Sequence, residues 1–345
     1  MIRFFLALVL VVAPSVSAGD LRQQITDAAD VAEPAVIAWR RQIHSNPELS
    51  NEEHETAALV ADHLRSLKFD KVDTGVAVTG VVGTLVGGKP GPVVALRADM
   101  DALPVVENTG LPFASTKKGT FQDKEVGIMH ACGHDAHVAM LLGVADVLAS
   151  IRDELPGTVK FIFQPAEEGA DGVETWGAKQ MVEEGTLKGK NAPEVIFALH
   201  VGPMPSGTVN YVKGAAMAGA DMFDITVQGK QTHGSSPWTG VDPVVVAAET
   251  ILALQLIPSR HVDITTNPTI ISVGSIHAGN RGNIIPGNVK MQGTLRTFSM
   301  KDREEIVERM HKTVNNIAEM HGASAELAFF LNYPVTYNKP CLLYT

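Results

Sequence analysis

Metal-binding side chains are concentrated in one short stretch of the chain, residues 127–137. These eleven residues include His130, Cys132, His134, Asp135 and His137, and an apolar segment follows them. Thiolate, imidazole and carboxylate groups are the ligands that transition metals such as zinc prefer. A cysteine between two histidines can also be a small buried side chain with polar neighbours. The stretch therefore predicts a metal site only together with other segments of the chain.

Ionisable side chains also follow three short apolar runs. The runs and the residues after them are 93–96 with Asp99 and Asp101, 159–163 with Glu167 and Glu168, and 195–199 with His200. Such runs, separated by helical segments, indicate a mostly parallel sheet with helices on both faces. In sheets of this kind, ligands bind beyond the carboxyl ends of the strands. The sequence therefore predicts an α/β catalytic domain whose ionisable residues meet at one edge of the sheet.

The pair Glu167 and Glu168 indicates how such a site could work. Extended backbone at a strand end points successive side chains in opposite directions, so one carboxylate can bind metal while its neighbour faces the substrate. We assign metal binding to Glu168, and we assign to Glu167 the general base that deprotonates a metal-bound water and later protonates the leaving nitrogen. A solvated acidic loop is the alternative. The candidate metal ligands are Cys132, His134, Glu168 and His200. Asp99 joins the catalytic set as a residue that could orient an imidazole.

A helix is predicted just before the first strand. Ala57, Val60 and Leu64 recur at helical spacing and form an apolar stripe. Ser50, followed by Glu53 three residues later, is the pattern of a capping box at the start of this helix. This interpretation gives both polar side chains a local role in helix capping.

The pattern changes in residues 214–331. Strand, helix, strand, strand, helix and strand follow one another in the order of a ferredoxin-like α+β domain, which we expect to be inserted into the catalytic domain of residues 19–213. His233 lies in a glycine-containing loop of this region. By themselves, His233, Asn283 and Arg296 could be substrate contacts or ordinary surface groups.

Composition excludes several classes of partner. The 345 residues suggest two domains, or one large domain with an insertion, and the formal net charge is −10. Because no basic run is long enough to bind phosphates, nucleic acid and anionic membrane surfaces are poor partners. Only two cysteines occur, Cys132 and Cys341, so the sequence implies no disulfide framework.

The first eighteen residues have the composition of a secretory signal peptide. Arg3 is followed by an apolar run, residues 4–13, and by the small residues Val16, Ser17 and Ala18. The apolar run is too short to span a membrane, so we expect cleavage after Ala18, export to the periplasm or medium, and no stable membrane span. A retained membrane anchor is the alternative.

Taken together, the motifs resemble one known group of enzymes. They are residues 97–104 (RADMDALP), 129–137 (MHACGHDAH), 164–169 (QPAEEG), 199–202 (LHVG) and the His233 loop, 229–237. The chain resembles the two-metal aminoacylase and carboxypeptidase G superfamily, specifically its hippurate hydrolase and indole-acetyl-amino-acid hydrolase branch. The resemblance covers nearly all of residues 39–331.

This resemblance implies a cofactor of two divalent metal ions, which could be Zn, Mn, Co or Ni. Cys132 stands where relatives outside the branch have a bridging Asp, while His134, Glu168 and His200 match other ligands and Glu167 matches the catalytic base. It also implies that residues 214–331 form a lid and dimerisation domain. There His233 would reach the active site of the partner subunit and stabilise the oxyanion. Asn283 and Arg296 would hold the substrate, and Arg296 would bind the carboxylate of the substrate.

The end of the chain departs from the family pattern. In the family, the chain returns from the lid to complete the catalytic domain and supplies a last metal-binding histidine. Here only residues 332–345 follow the predicted lid. We expect these residues to be a truncated return whose last positions come from a sequencing artefact. We therefore also expect the chain as given to be inactive.

These observations lead to one functional prediction. The intact protein is an exported metal-dependent amidohydrolase that cleaves N-acyl-L-amino acids such as hippurate. A metallo-dipeptidase or carboxypeptidase with the same centre is one alternative. An exported binding protein that holds metal or ligand without turnover is another, although the presence of Glu167 argues against it.

Overall fold

A computed structural model describes residues 18–170, 172–173 and 175–342. The predicted signal peptide, apart from Ala18, and the last three residues of the predicted artefact lie outside the described residues. The chain divides into two compact units between Met204 and Pro205.

The described residues of the first unit form a five-stranded sheet, a two-stranded hairpin and four α-helices. Its elements, in chain order, are α1 (Ala18–Ser45), α2 (His54–Ser66), β1 (Lys71–Val76), β2 (Gly80–Val86), β3 (Lys89–Asp99), β4 (Lys118–Phe121), β5 (Lys124–Gly127), α3 (His134–Ser150), β6 (Pro156–Gln164), α4 (Gly177–Glu183) and β7 (Val195–Ala198). The strand order is β1-β2-β6-β3-β7. Strand β3 runs parallel to β6 and β7, while β2 runs antiparallel to β1 and β6. Four of the five strands therefore run in one direction, which confirms the predicted mostly parallel sheet.

Helices cover both faces of the central strands of this sheet, whereas Ile196 and Phe197 of the edge strand β7 are exposed. On one face, Leu64 of α2 and Leu142 of α3 pack with Phe161 and Phe163 of β6, and all four side chains are fully buried. On the opposite face, Met181 of α4 packs against the other side of β2, β3 and β6. The two layers fix the ends of β3 and β6 and, with them, the residues that follow these strands.

The start of α2 differs from the expected capping box. The Ser50 side chain forms no cap, and the cap residue Glu53 makes no capping hydrogen bond through its side chain. Instead, the Glu48 carboxylate accepts hydrogen bonds from the backbone N–H groups of Glu55 and Thr56, both at 2.9 Å. Because Glu48 satisfies these donors, Ser50 and Glu53 are available for contacts elsewhere.

The second unit contains a four-stranded antiparallel sheet. Its elements are β8 (Gly214–Met217), β9 (Gly219–Gln228), β10 (Thr232–His233), α5 (Pro243–Leu254), α6 (Leu256–Arg260), β11 (Thr269–Ala278), β12 (Ile284–Ile285), β13 (Asn288–Thr297), α7 (Met300–Met320), β14 (Ser324–Tyr333) and β15 (Thr336–Asn338). The order β11-β13-β9-β14, with α5 and α7 between strands, is the ferredoxin-like arrangement that the sequence predicted. Strand β15, in the predicted return segment, pairs with β8.

Side-chain caps and a buried core stabilise the helices of this unit. The Asp242 carboxylate accepts from the backbone N–H of Val244 at the start of α5, and the Ser299 hydroxyl accepts from that of Asp302 in α7. Leu254, Ile306 and the residues around them are buried against the sheet.

One helical stretch among the described residues, 243–260, is long and apolar enough to span a membrane by length and composition. A third of it is buried inside the protein, where α5 packs on the sheet of the second unit. A helix on a protein core passes the same test, so the finding is weak evidence for a membrane span.

Candidate metal centre

The centre is built around His134, the first residue of α3. Gly133 before it has φ +90°, and a Cβ at this position would lie 2.2 Å from a methyl carbon of Val201, so the sharp entry into the helix requires glycine. His134 is fully buried. Its Nδ1 donates to the backbone carbonyl of Asp101 at 2.8 Å, and a carboxylate oxygen of Asp101 lies 3.2 Å away. This hydrogen bond fixes the orientation of the imidazole ring, so that Nε2 points away from Asp101.

The Nε2 atom of His134 faces carboxylates. It lies 3.6 Å from Asp99, 4.0 Å from Glu167 and 3.9 Å from Glu168, and it has no hydrogen-bond partner among the described residues. Burial lowers the pKa of His134, but the hydrogen bond to Asp101 and the nearby carboxylates outweigh burial and raise it to about 9. A buried nitrogen among carboxylates, without a protein partner, fits a metal ligand whose other nitrogen is held by the protein.

Cys132 and His200 complete the set of predicted ligands. The Sγ atom of Cys132 is 3.4 Å from Nε2 of His200, whose Nδ1 donates to the backbone carbonyl of Val201 at 2.6 Å. Burial, followed by the charges of Glu168, Glu167 and Asp99, raises the pKa of the Cys132 thiol to about 12. A metal ion must displace this proton, so metal binding strengthens as the pH rises.

The structure therefore brings all four predicted ligands to one place. Cys132, His134 and His200 form one group whose ligand atoms all lie within 4.8 Å of one another, and His134, Glu167 and Glu168 form a second. Because His134 belongs to both groups, they make up one continuous centre. Thiolate, imidazole and carboxylate donors at these separations suit a divalent transition metal.

Asp99 orients an imidazole, and that imidazole belongs to His137. An Asp99 carboxylate oxygen lies 2.6 Å from Nδ1 of His137, whose Nε2 accepts from the backbone N–H of Val201 at 2.9 Å. Burial raises the pKa of Asp99, but the His137 hydrogen bond and the neighbouring Arg97 guanidinium lower it well below the usual range. A permanently charged Asp99 thus holds His137, and His137 holds the segment that carries His200.

The two remaining ionisable residues of the 127–137 stretch, His130 and Asp135, are not candidate metal ligands. Asp135 accepts from Nδ1 of His44 and from Nε of Arg40, both at 2.8 Å, and so joins α1 to α3. His130 is buried, and burial lowers its pKa to about 4, so its imidazole is neutral at physiological pH. Neither residue belongs to the groups that could hold a metal in the described part of the chain.

Two buried carboxylates hold the loop that carries Glu167. The backbone N–H of Ala166 donates to Glu53 at 2.8 Å, and that of Glu168 donates to Asp101 at 2.9 Å. Ala166 has φ +47°, a left-handed conformation that costs free energy in a non-glycine residue. The loop is thus held on both sides of Glu167, whose own pKa is raised by burial and by Asp99 and Glu168, against the effect of Arg97. A raised pKa suits a carboxylate that accepts and returns a proton.

Two contributors were missed by the sequence interpretation: Glu53, and Asp101 as a structural anchor. Glu53 is fully buried, and burial raises its pKa to about 6 although Thr79 and Ala166 donate to it. No local pattern signalled the role of Glu53, because its donors Thr79 and Ala166 are distant in the sequence. For Asp101, the position just after a buried strand was the signal.

The second unit brings His233 and Asn283 together. The β10–β12 pairing places His233 opposite Ile284, and the backbone N–H of Gly234 donates to the carbonyl of Asn283 at 2.8 Å. Nδ1 of His233 accepts from the backbone N–H of Ser235 at 3.1 Å. The proton therefore lies on Nε2, and the side chain is exposed. Arg296 lies on β13 and donates to Thr294 and to nearby backbone carbonyls.

Comparison with known proteins decides the family. The sequence model that represents peptidase family M20/M25/M40 matches residues 95–342 of this chain. The chain belongs to this family. Thermostable carboxypeptidase 2 of Saccharolobus solfataricus is 42% identical over 324 residues, 93% of this chain and 78% of that protein. The N-acyl-L-amino acid amidohydrolase of Geobacillus stearothermophilus is 39% identical over 318 residues, 92% and 81% of the two chains.

A solved structure agrees with this family membership. The YXEP protein of Bacillus subtilis, described as a dinuclear metal binding peptidase from the M20 family, is 36% identical. It superposes with a TM-score of 0.75 over 91% of this chain and 78% of that one. The predicted fold class and the resemblance to metal-dependent amidohydrolases are confirmed, and the chain is a hydrolase of the M20 family. The individual ligand and catalytic roles stay predictions.

The Glu53 contact generates a testable prediction. Glu53→Gln keeps the shape of the side chain but places an amide NH₂ where one of the donors, Ala166 N–H or Thr79 hydroxyl, needs an acceptor. We expect kcat of the metal-loaded full-length protein to fall about 10- to 100-fold, the range found for groups that orient metal-site residues. KM should change little, because Glu53 does not contact the substrate.

The matched control is Glu55→Gln, an exposed position on the same helix. Thermal unfolding of both variants shows whether a lower kcat comes from a displaced Glu167 loop or from a less stable fold. Thr79→Val tests the second donor independently. Wild-type kcat in a folded Glu53→Gln protein would contradict this role.

Proposed function

We propose that this protein is an exported two-metal amidohydrolase that cleaves N-acyl-L-amino acids into a carboxylic acid and a free amino acid. The observation that carries the proposal is the buried Nε2 of His134, which faces Asp99, Glu167 and Glu168 within 4.0 Å and lacks a hydrogen-bond partner in the described part of the chain. The similarity to an N-acyl-L-amino acid amidohydrolase over most of the chain supports the substrate class. The signal-peptide pattern of residues 1–18 supports export.

Cys132, His134, Glu168 and His200 would hold the two ions. The description of the YXEP protein as dinuclear supports this number. When bound, divalent ions polarise the amide carbonyl and lower the pKa of water. Zn, Mn, Co and Ni all suit this mixed set of donors.

Glu167 is the proposed proton carrier. Its carboxylate takes the proton of the attacking water and gives it to the leaving nitrogen. Burial and the neighbours Asp99 and Glu168 raise the pKa of Glu167, which makes proton uptake easier, while Arg97 opposes complete neutralisation. Both carboxylates face Nε2 of His134, Glu167 at 4.0 Å and Glu168 at 3.9 Å, because the chain bends after β6, so the opposite directions expected from extended backbone are not observed. The choice of Glu167 as the proton carrier is supported by its raised pKa.

The second unit supplies the proposed substrate contacts. Because Ser235 donates to Nδ1, His233 presents its Nε2–H as a donor for the carbonyl oxygen on which negative charge develops. The guanidinium of Arg296 suits the carboxylate of the amino acid, and Asn283 lies beside His233. We propose that His233 serves the active site of a partner subunit.

An exposed apolar surface on the second unit supports a homodimer. Val245, Leu252 and Leu256 on one side of α5 and α6 are 56%, 71% and 54% exposed. Strand β11 is an edge strand, pairs only with β13 in the described part of the chain, and carries Ile270 at 58% exposure. Apolar side chains beside an unpaired strand edge are typical of a surface that another chain covers.

A metallo-carboxypeptidase or dipeptidase with the same centre is the second candidate. It is favoured by the similarity to thermostable carboxypeptidase 2. Hydrolysis assays of the metal-loaded full-length protein, with hippurate and N-acetyl-L-amino acids beside unblocked dipeptides, distinguish the candidates. We expect the acylated amino acids to be cleaved faster, and cleavage of dipeptides alone would reject the proposal in favour of the second candidate.

Substitution of the two neighbouring glutamates should separate their roles. Glu167→Gln keeps the shape of the side chain but removes the basic oxygen, so bound metal should be retained while kcat falls about 10²- to 10⁴-fold. Glu168→Gln should weaken metal binding instead. Elemental analysis and kinetics on the same preparations give both quantities, and an exchange of the two phenotypes would show that the assignments are reversed.

The partner role of His233 can be tested with hybrid dimers. His233→Ala and Glu167→Gln subunits should each be inactive as homodimers. A mixed dimer contains one site with both an intact Glu167 and an intact His233, so mixing should restore part of the activity, up to about one site per hybrid. Subunit exchange is verified by mass spectrometry, and no recovery after confirmed exchange would indicate a site that is complete within one chain.

A further inference from the structure

A large open cavity in the first unit includes the candidate metal ligand Glu168 in its lining. Its volume is about 900 Å³. Leu49 and Ala102 form part of its apolar wall and are almost completely buried, and Phe121 packs against the cluster that they form with Ile128. A backbone bridge between Leu49 and Ala102 holds the segment after β3 beside the turn before α2. The cavity therefore has a fixed apolar wall that leads to a candidate metal ligand.

The β4–β5 hairpin forms another side of this cavity. Its two turn residues, Gln122 and Asp123, both have positive φ values of 50° and 59°, which is the geometry of the tight turn that matches the twist of a hairpin. Phe121, next to this turn, anchors the hairpin to the buried cluster of Leu49, Ala102 and Ile128. The anchored turn places Gln122 and Asp123 at the cavity.

The charges of the cavity select which part of a substrate fits it. Glu52, Asp123 and Glu168 line it, and among the described residues its lining contains no lysine, arginine or histidine. A substrate carboxylate would therefore meet carboxylates and no cationic partner, although carboxylates are normally recognised by cationic side chains. An uncharged group meets the apolar wall without this cost.

We infer that this cavity is the subsite for the acyl group, that it accepts uncharged aliphatic and aromatic acyl groups, and that it rejects acyl groups bearing a second carboxylate. The inference rests on the proposed function, because it assigns one half of an N-acyl-amino acid to the cavity. The carboxylate of the amino acid half lies outside it. Phe121 supplies apolar contact, and Glu52 and Asp123 supply the discrimination against anionic acyl groups.

The test compares N-acetyl, N-benzoyl and N-succinyl derivatives of one L-amino acid, using full-length protein reconstituted with Mn²⁺ or Zn²⁺. We expect kcat/KM to be highest for the benzoyl and lowest for the succinyl compound. Phe121→Ala should lower the benzoyl-to-acetyl ratio of kcat/KM about tenfold, the scale of a lost apolar contact in a pocket. Glu52→Gln combined with Asp123→Asn should raise the succinyl-to-acetyl ratio about three- to tenfold, since exposed charges act weakly.

Glu125→Gln is the matched control, because Glu125 lies on the same hairpin, pairs with Lys118 and is not part of the cavity lining. It should leave both ratios unchanged. The two charge substitutions are at exposed positions, so they remain informative if Phe121→Ala disturbs folding. Calorimetric binding of the three compounds to the Glu167→Gln protein gives a second readout that is independent of turnover.

The outcomes separate the two proposals. Cleavage of acylated amino acids with ratios that neither set of variants changes would overturn the acyl subsite and leave the proposed function standing. No cleavage of any acylated amino acid would overturn the proposed function. In that case, benzoyl binding that is unaffected by Phe121→Ala would overturn the subsite as well, and weakened binding would support it.

Discussion

The hydrogen bonds of one buried aspartate, Asp101, hold the metal centre together. Its backbone carbonyl and one carboxylate oxygen face Nδ1 of His134, and the other oxygen accepts from the backbone N–H of Glu168 and the hydroxyl of Ser50. Burial raises the pKa of Asp101, but the bonds from His134 and Glu168 lower it, so the group stays charged. Through this residue the end of β3, the start of α3, the loop after β6 and the turn before α2 meet at one point.

The sequence was sufficient to predict which segments would meet, because strand ends and helix starts are local features. Short apolar runs located β3, β6 and β7, and the topology of a mostly parallel sheet brings their carboxyl ends together. The sequence therefore predicted that Glu168, His134 and Cys132 belong to one centre, and the structure brings them together. The order of elements likewise predicted the sheet of the second unit. The roles of His233 and Arg296 came from family resemblance, since neither residue stands out by spacing alone.

Contacts between distant residues could not be predicted from local patterns. Ser50 and Glu53 match a capping box, yet they bond to Asp101 and to Ala166, which are 51 and 113 residues away. A local pattern identifies only the hydrogen-bond partners within one turn of helix. A buried carboxylate needs hydrogen-bond donors, and in the folded protein these donors can come from any part of the chain. The same limit applies to His137, whose partners Asp99 and Val201 lie on other elements. It also applies to Ala166, because an alanine in the sequence gives no sign of a left-handed backbone conformation.

The most direct test of this account is the metal affinity of Asp101→Asn, measured by titration of the metal-free full-length protein. Asparagine keeps only one accepting oxygen, so its NH₂ group must face either the donors Glu168 N–H and Ser50 hydroxyl or Nδ1–H of His134. We expect the metal dissociation constant to rise about 10- to 100-fold, as for other groups that orient metal ligands, while Ser50→Ala, which removes only one donor, has a smaller effect. Wild-type affinity for two ions in a folded Asp101→Asn protein would contradict the central place given to this residue.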